Sequence, residues 1–206
     1  PVTEPLSDYL DRLSAEGRKW ANHLAIEASA ELTGWLDHPS IHAHYGKRSL
    51  IDGTPWREWV QSQLGGAAER SMELGCGTAS LSTLLYRIGS TRDVEGVDIS
   101  PERVALAEIG RAELGAPGRF RVEDANRVVL EPGRYDLIVS SHSFHHFLEL
   151  ERVMTQVLEA LTPRGLFILE EYVGPTQFQW TDAQMELTKG LLATIPPRYR
   201  QLKWEA

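Results

Sequence analysis

Met72-Glu73-Leu74-Gly75-Cys76-Gly77-Thr78-Ala79-Ser80 passes, within nine residues, through a short apolar run, two glycines one residue apart and the start of a helical pattern. Strand, turn and helix in that order place backbone without Cβ atoms at a helix N-terminus, where a polar or anionic group can approach closely. On the carboxyl side Leu81, Leu84, Leu85 and Ile88 recur at i, i+3, i+4 and i+7, which predicts an amphipathic helix. Twenty-one residues beyond Gly77, Gly96-Val97-Asp98-Ile99-Ser100 sets an acid at the tip of the next apolar run.

From residue 70 onward short apolar runs alternate with amphipathic stretches, the rhythm of βαβ units and a parallel sheet. Strands are expected at Ser71 to Leu74, Val94 to Val97, Arg119 to Val122, Leu137 to Val139 and Leu166 to Leu169. Leu150, Val153, Met154, Val157, Leu158 and Leu161 predict a helix that Pro163 and Gly165 end. Before residue 66 the chain reads as a helical cap: Leu6, Leu10, Leu13, Trp20 and Leu24 have helical spacing. Residues 34–53 read as turn-rich, and Thr54-Pro55 opens a helix carrying Trp56, Trp59, Val60 and Leu64. The expected organisation is a helical cap or lid over 1–66 and a Rossmann-like, doubly wound, mainly parallel α/β core over 67–206.

In such a sheet the carboxylate of Asp98 faces the crevice, where it can accept both hydrogens of a ribose diol. The glycine loop and this acid together indicate a nucleoside-containing cofactor. A dinucleotide fingerprint has a third glycine where this chain has Ser80, and Glu73 is poorly placed beside a pyrophosphate but well suited to an ammonium group. The site suits a cationic amino-acid tail better than a dinucleotide.

Glu73-Leu74-Gly75-Cys76-Gly77-Thr78 followed by Gly96-Val97-Asp98-Ile99-Ser100 resembles the class I S-adenosylmethionine-dependent methyltransferases, over roughly Arg70 to Val173. The resemblance implies that Glu73 meets the methionine ammonium, largely through water, and that Gly75, Cys76 and Gly77 border the methionine part. It implies Asp98 at the ribose, Ile99 against the adenine, Asp124 at the adenine amino group, and Ala125 and Ser140 beside the cofactor. S-adenosylhomocysteine would be the product. Family loops often carry another glycine where this chain has Ala79, a small change expected to be tolerated. Asp98 alternatively reads as a helix cap ahead of Pro101, Asp124 as a turn residue, and Cys76 as a packing residue.

Ser140-Ser141-His142-Ser143-Phe144-His145-His146-Phe147 leaves the fourth strand where an acceptor would meet the sulfonium. His142, His145 and His146 are candidate bases, because imidazole titrates near neutral pH; family members carry a paired-His stretch here, often for packing. Beyond the fifth strand Glu171, Tyr172, Phe178 and Trp180 are candidate acceptor-pocket residues, with loop packing as the alternative. In the amino-terminal segment Tyr45 is the chosen candidate, beside Trp35, His38 and His42. No metal-binding spacing such as H-E-x-x-H is present, and no metal is expected.

A net charge of -8 disfavours a phosphate-backbone partner, so no nucleic acid is expected. The single cysteine fits a reducing compartment, and no run reaches the length of a membrane span; a cytoplasmic protein is expected. Thirty-seven residues follow Leu169. They read as a loop and a helix over Thr181 to Thr194, leaving no room for the antiparallel hairpin usual in the resembled fold. A truncated or divergent sheet is therefore expected, its fifth strand an open edge for a homodimer or partner chain. The function expected is methyl transfer to a small-molecule acceptor, oxygen ahead of nitrogen or carbon. The alternatives are a cofactor-binding module without activity and an NAD-dependent oxidoreductase.

Overall fold

The structure is a computed structural model that describes residues 38–48, 50–51, 53–171 and 180–199, with Asp11, Ala15 and Arg18 as single positions. In chain order its main elements are α1 (Pro39–Arg48), α2 (Trp56–Leu64), β1 (Ser71–Leu74), α3 (Ser80–Arg87), β2 (Val94–Asp98), α4 (Pro101–Leu114) and β3 (Gly118–Val122). They continue with β4 (Tyr135–Ser141), α5 (Leu150–Ala160), β5 (Leu161–Glu170) and α6 (Asp182–Thr194). The chain divides into two units, residues 1–21 with 54–171, and residues 22–53 with 172–206.

The first unit holds a five-stranded parallel sheet in the order β3-β2-β1-β4-β5. The chain begins at the centre, winds to one edge and returns to the other side of β1, so the order reverses between β1 and β4. All four residues of β1 are buried, as a central strand covered on both faces requires. One cluster joins Met72, Leu74, Val97 and Ile138 to Val153 and Val157 of α5; another joins Val94 and Phe120 to Val104 and Ala107 of α4. Val94 and Val97, three apart on one strand, go to different clusters because strand side chains alternate faces. Helix α2 buries Trp56 and Val60 and lies against β5.

The strand centres are as the sequence predicts, but β4 and β5 are longer. Residues 161–165, read as the end of a helix, instead continue β5, and α5 stops at Ala160. Pro163 is tolerated there because β5 is an edge strand among the described residues and its pairing with β4 shifts register between Tyr135 and Leu137.

In the second unit, residues 39–48 form α1 where the sequence reads as turns. Pro39 stands at the first helical position, where its missing N–H is no loss and its fixed φ suits the helix. Thr181 caps α6 in a reciprocal capping box with Gln184. The rings of His38 and Tyr199 meet edge-on at 5.0 Å. The apolar positions Leu6, Leu10, Leu13, Trp20 and Leu24 of the expected helix lie outside the described residues, as do Trp35, Tyr172 and Phe178. No described helix is long and apolar enough to cross a membrane.

Candidate active site

A doubly wound sheet opens a crevice at the carboxyl ends of the strands flanking its reversal point, here β1 and β4. The β1 loop is built for close approach. Gly75, Gly77 and Ala79 all have left-handed backbone, with φ of 69, 52 and 57°. A Cβ on Gly75 would stand 2.5 Å from Cβ of Ser143 and 2.6 Å from its Oγ. Glycine is thus required there both by backbone and by neighbour. Ser143 in turn donates to the Leu74 carbonyl at 2.8 Å and shares a 2.8 Å hydrogen bond with Ser140, stitching the β1 and β4 exits together.

Asp98 closes the loop from the next strand. Its Oδ2 accepts from the Gly77 N–H at 2.8 Å and its Oδ1 from the Ser100 N–H at 2.9 Å. Ser100, and not Asp98, caps α4 by accepting from Arg103. Ile99 beside it is half-buried. Cys76 packs in the apolar cluster under the loop, and burial, together with the charges of Glu73 and Asp98, pushes its thiol far above the ordinary range. A thiol so held is a packing group and no nucleophile.

Glu73 sits buried directly beneath the loop. Ala79 has no side chain with which to cap α3, and Glu73 supplies the cap instead: Oε2 accepts from the Ser82 N–H at 3.1 Å and from the Ser82 hydroxyl. Burial pushes its carboxyl up from 4.5 to about 7, against the pull of the two Ser82 hydrogen bonds, and the charge of Asp98 adds to the rise.

Beyond β3, Asp124 accepts from the backbone and side chain of Asn126 with one oxygen, Oδ1, at 2.9 and 2.8 Å. Its other oxygen, Oδ2, is buried and has no hydrogen-bond partner. An orphaned carboxylate oxygen at a strand's carboxyl end is costly unless a ligand donor meets it. Asn126 then accepts from the Leu148 and Glu149 N–H groups at 2.7 and 3.0 Å, fixing the entry to α5. Ala125 is a core residue of the main cluster.

After β4, residues 144–146 form a 3-10 turn in which Phe144 and Phe147 pack inward against the main cluster. This leaves His142 and His145 exposed and His146 half-buried. His142 is exposed, has a left-handed φ of 52° and donates its backbone N–H to the Glu170 carbonyl. His145 places Nδ1 2.8 Å from Oε1 of Glu171, and its backbone N–H donates to Oε2 of the same carboxylate at 3.2 Å. The His145 and His146 rings lie 4.1 Å apart.

The first unit therefore brings Glu73, Gly75, Cys76, Gly77, Asp98, Ile99, Asp124, Ala125 and Ser140 to the loops at one end of the sheet, with the three histidines and Glu171 beside them. Trp180 belongs to the second unit, and the side chain of Tyr45 lies outside the described residues. Sequence reasoning missed Ser82, Asn126 and Ser143. Only the capping defect at Ala79 hinted at the first; the other two act across the sheet on residues distant in the chain.

A family model described as a methyltransferase domain matches residues 66–198. A ubiquinone biosynthesis O-methyltransferase of Methylobacterium nodulans is 30% identical over 47% of this chain and 38% of its own length. A demethylmenaquinone methyltransferase of Thermus thermophilus is 26% identical over 58% of this chain and 54% of its own. The chain thus spans about half the length of the curated relatives it matches, or less. Among solved structures, the PH0226 protein of Pyrococcus horikoshii superposes with a TM-score of 0.52 at 22% identity, covering 78% of this chain and 64% of that one, which shows the shared fold.

Proposed function

The chain belongs to the methyltransferase domain family, and on that premise we propose that it binds S-adenosylmethionine and methylates a small molecule, a hydroxyl oxygen ahead of nitrogen or carbon. The single observation carrying this reading is the buried, unpartnered Oδ2 of Asp124, a vacant acceptor suited to the adenine amino group. The remaining residues fit the same ligand. Asp98 offers the second lone pairs of both its oxygens to a ribose diol, the backbone of Gly75 and Gly77 borders the amino-acid tail, and Glu73 supplies an anionic counterpart for its ammonium.

When bound, the cofactor supplies an activated methyl group on a sulfonium. The chain's own task is then alignment of the acceptor and exclusion of water. The histidines beside the β4 exit support an oxygen acceptor, since a hydroxyl gains more from a base than an amine does. Among the described residues β5 is an edge strand, and a second copy or a partner chain covering that edge is a further part of this proposal.

Titration calorimetry with S-adenosylhomocysteine, followed by transfer of labelled methyl from S-adenosylmethionine to a panel of phenols, carboxylates and amines, tests the reading. Binding together with transfer to a hydroxyl is expected. NADH binding without S-adenosylhomocysteine binding overturns it, and tight binding with no transfer reduces the chain to a binding module.

A further inference from the structure

Of the three histidines after β4, the geometry points to His145 as the base that receives the acceptor's hydroxyl proton, with Glu171 as the carboxylate that positions it. This rests on the methyl-transfer reading above and narrows its substrate to acceptors with a hydroxyl group.

The 3-10 turn sets the stage. Residues three apart eclipse in such a turn, so Phe144 and Phe147 anchor on one side, their rings 5.3 Å apart, with Phe167 of β5 6.1 Å from Phe144. His145, between them in the chain, is turned out. Glu171 follows the last residue of β5, and its side chain is only 10% exposed while that of His145 is 52% exposed. The carboxylate therefore lies under an open ring.

Both Glu171 oxygens engage His145, one at Nδ1 and one at the backbone N–H. A two-point clamp fixes the ring's position as well as its proton. A carboxylate at Nδ1 holds the hydrogen there, so the neutral ring presents an unprotonated Nε2. Among the described residues Nε2 has no hydrogen-bond partner. His142 has no carboxylate at its ring among the described residues, and His146 lies against His145. Glu170, the other acid at this strand end, accepts from the Ser141 hydroxyl at 3.2 Å.

In the step this serves, the hydroxyl proton passes to Nε2 while the oxygen's electron pair forms the bond to the methyl carbon. The carbon–sulfur bond breaks with its pair remaining on sulfur. One positive charge thereby leaves the sulfonium and appears on the imidazolium, 2.8 Å from the Glu171 carboxylate. An amine acceptor can attack through its own lone pair before losing a proton, which is why this arrangement selects for a hydroxyl.

Histidine nitrogen NMR on the labelled full chain with S-adenosylhomocysteine gives the first readout. His145 is expected in the Nδ1–H form, and Glu171→Ala is expected to move it toward the Nε2–H form. Methyl transfer to catechol and to hydroxybenzoates gives the second. His145→Gln should lower kcat by about a hundredfold or more with KM changed less than about threefold, as loss of a general base does. Glu171→Gln should lower kcat about tenfold, and added imidazole should restore part of the rate of His145→Ala. An Nε2–H ring in the wild-type chain, an unchanged kcat in His145→Gln, or turnover of amines with none of the hydroxyl panel overturns the inference. Failure of the wild-type chain to bind S-adenosylhomocysteine overturns the methyl-transfer reading instead.

Discussion

Glu73→Gln is the substitution with the most to say about this site, because burial lifts the Glu73 carboxyl from 4.5 to about 7. The folded state therefore holds this proton to higher pH than the unfolded chain does. Stability from that difference is fully present below 4.5 and is lost as pH rises through about 7. Each unit of pKa difference corresponds to about 1.4 kcal/mol, so the full loss is about 3 kcal/mol, most of it between pH 5 and 9. Glutamine is a neutral isostere whose oxygen can still accept from Ser82, and it has no proton to lose. Urea unfolding of both chains at pH 5, 7 and 9 should show the wild type losing roughly 2–3 kcal/mol relative to the variant across that range. A difference that moves by less than about 1 kcal/mol would refute the argument. The same proton reports on the ligand. If an ammonium group sits by Glu73, binding favours the carboxylate, and S-adenosylhomocysteine should displace more proton from Glu73 at pH 6 than at pH 8. Calorimetry in buffers of different ionisation enthalpy measures that release, and Glu73→Gln should abolish it.

Asp98→Ala should weaken S-adenosylhomocysteine binding by at least about 1.5 kcal/mol, roughly tenfold, through loss of charge-assisted hydrogen bonds; unchanged affinity would remove Asp98 from the site. Gly75→Ala puts a Cβ 2.5 Å from that of Ser143 on a left-handed backbone, and should cost about 3 kcal/mol in urea unfolding. Adding Ser143→Gly should recover the steric part, and no recovery would mean the loop yields elsewhere. Ala79→Gly relieves a φ of 57° at the cost of unfolded-chain entropy, and a net gain of about 0.5 kcal/mol in thermal unfolding is expected.

The alternation of apolar runs and amphipathic stretches after residue 70 was enough to place the five strands, because each buried segment declares itself through local spacing. The glycine loop and Asp98 were legible for a related reason: their chemistry lies within single strand-to-turn junctions. The lengths of β4 and β5 were not, since Pro163 is ruled out of a strand only where a neighbour needs its N–H, and edge position is a property of the assembled sheet. Residues 39–48 were misread because their turn-like composition hides a proline in the one helical position that favours it.

By itself the sequence determined an alternation of strands and helices, with a glycine loop after β1 and an acid at the tip of β2. It left three histidines equal. The tertiary structure gave them different surroundings, packing two phenylalanines of a 3-10 turn inward and bringing a carboxylate 26 residues away to the His145 ring. It likewise showed that Glu73 caps α3 from below and that one Asp124 oxygen is buried without a partner. Hydrogen bonds and desolvation depend on which groups meet across the fold, and that is information a local pattern of side chains does not contain.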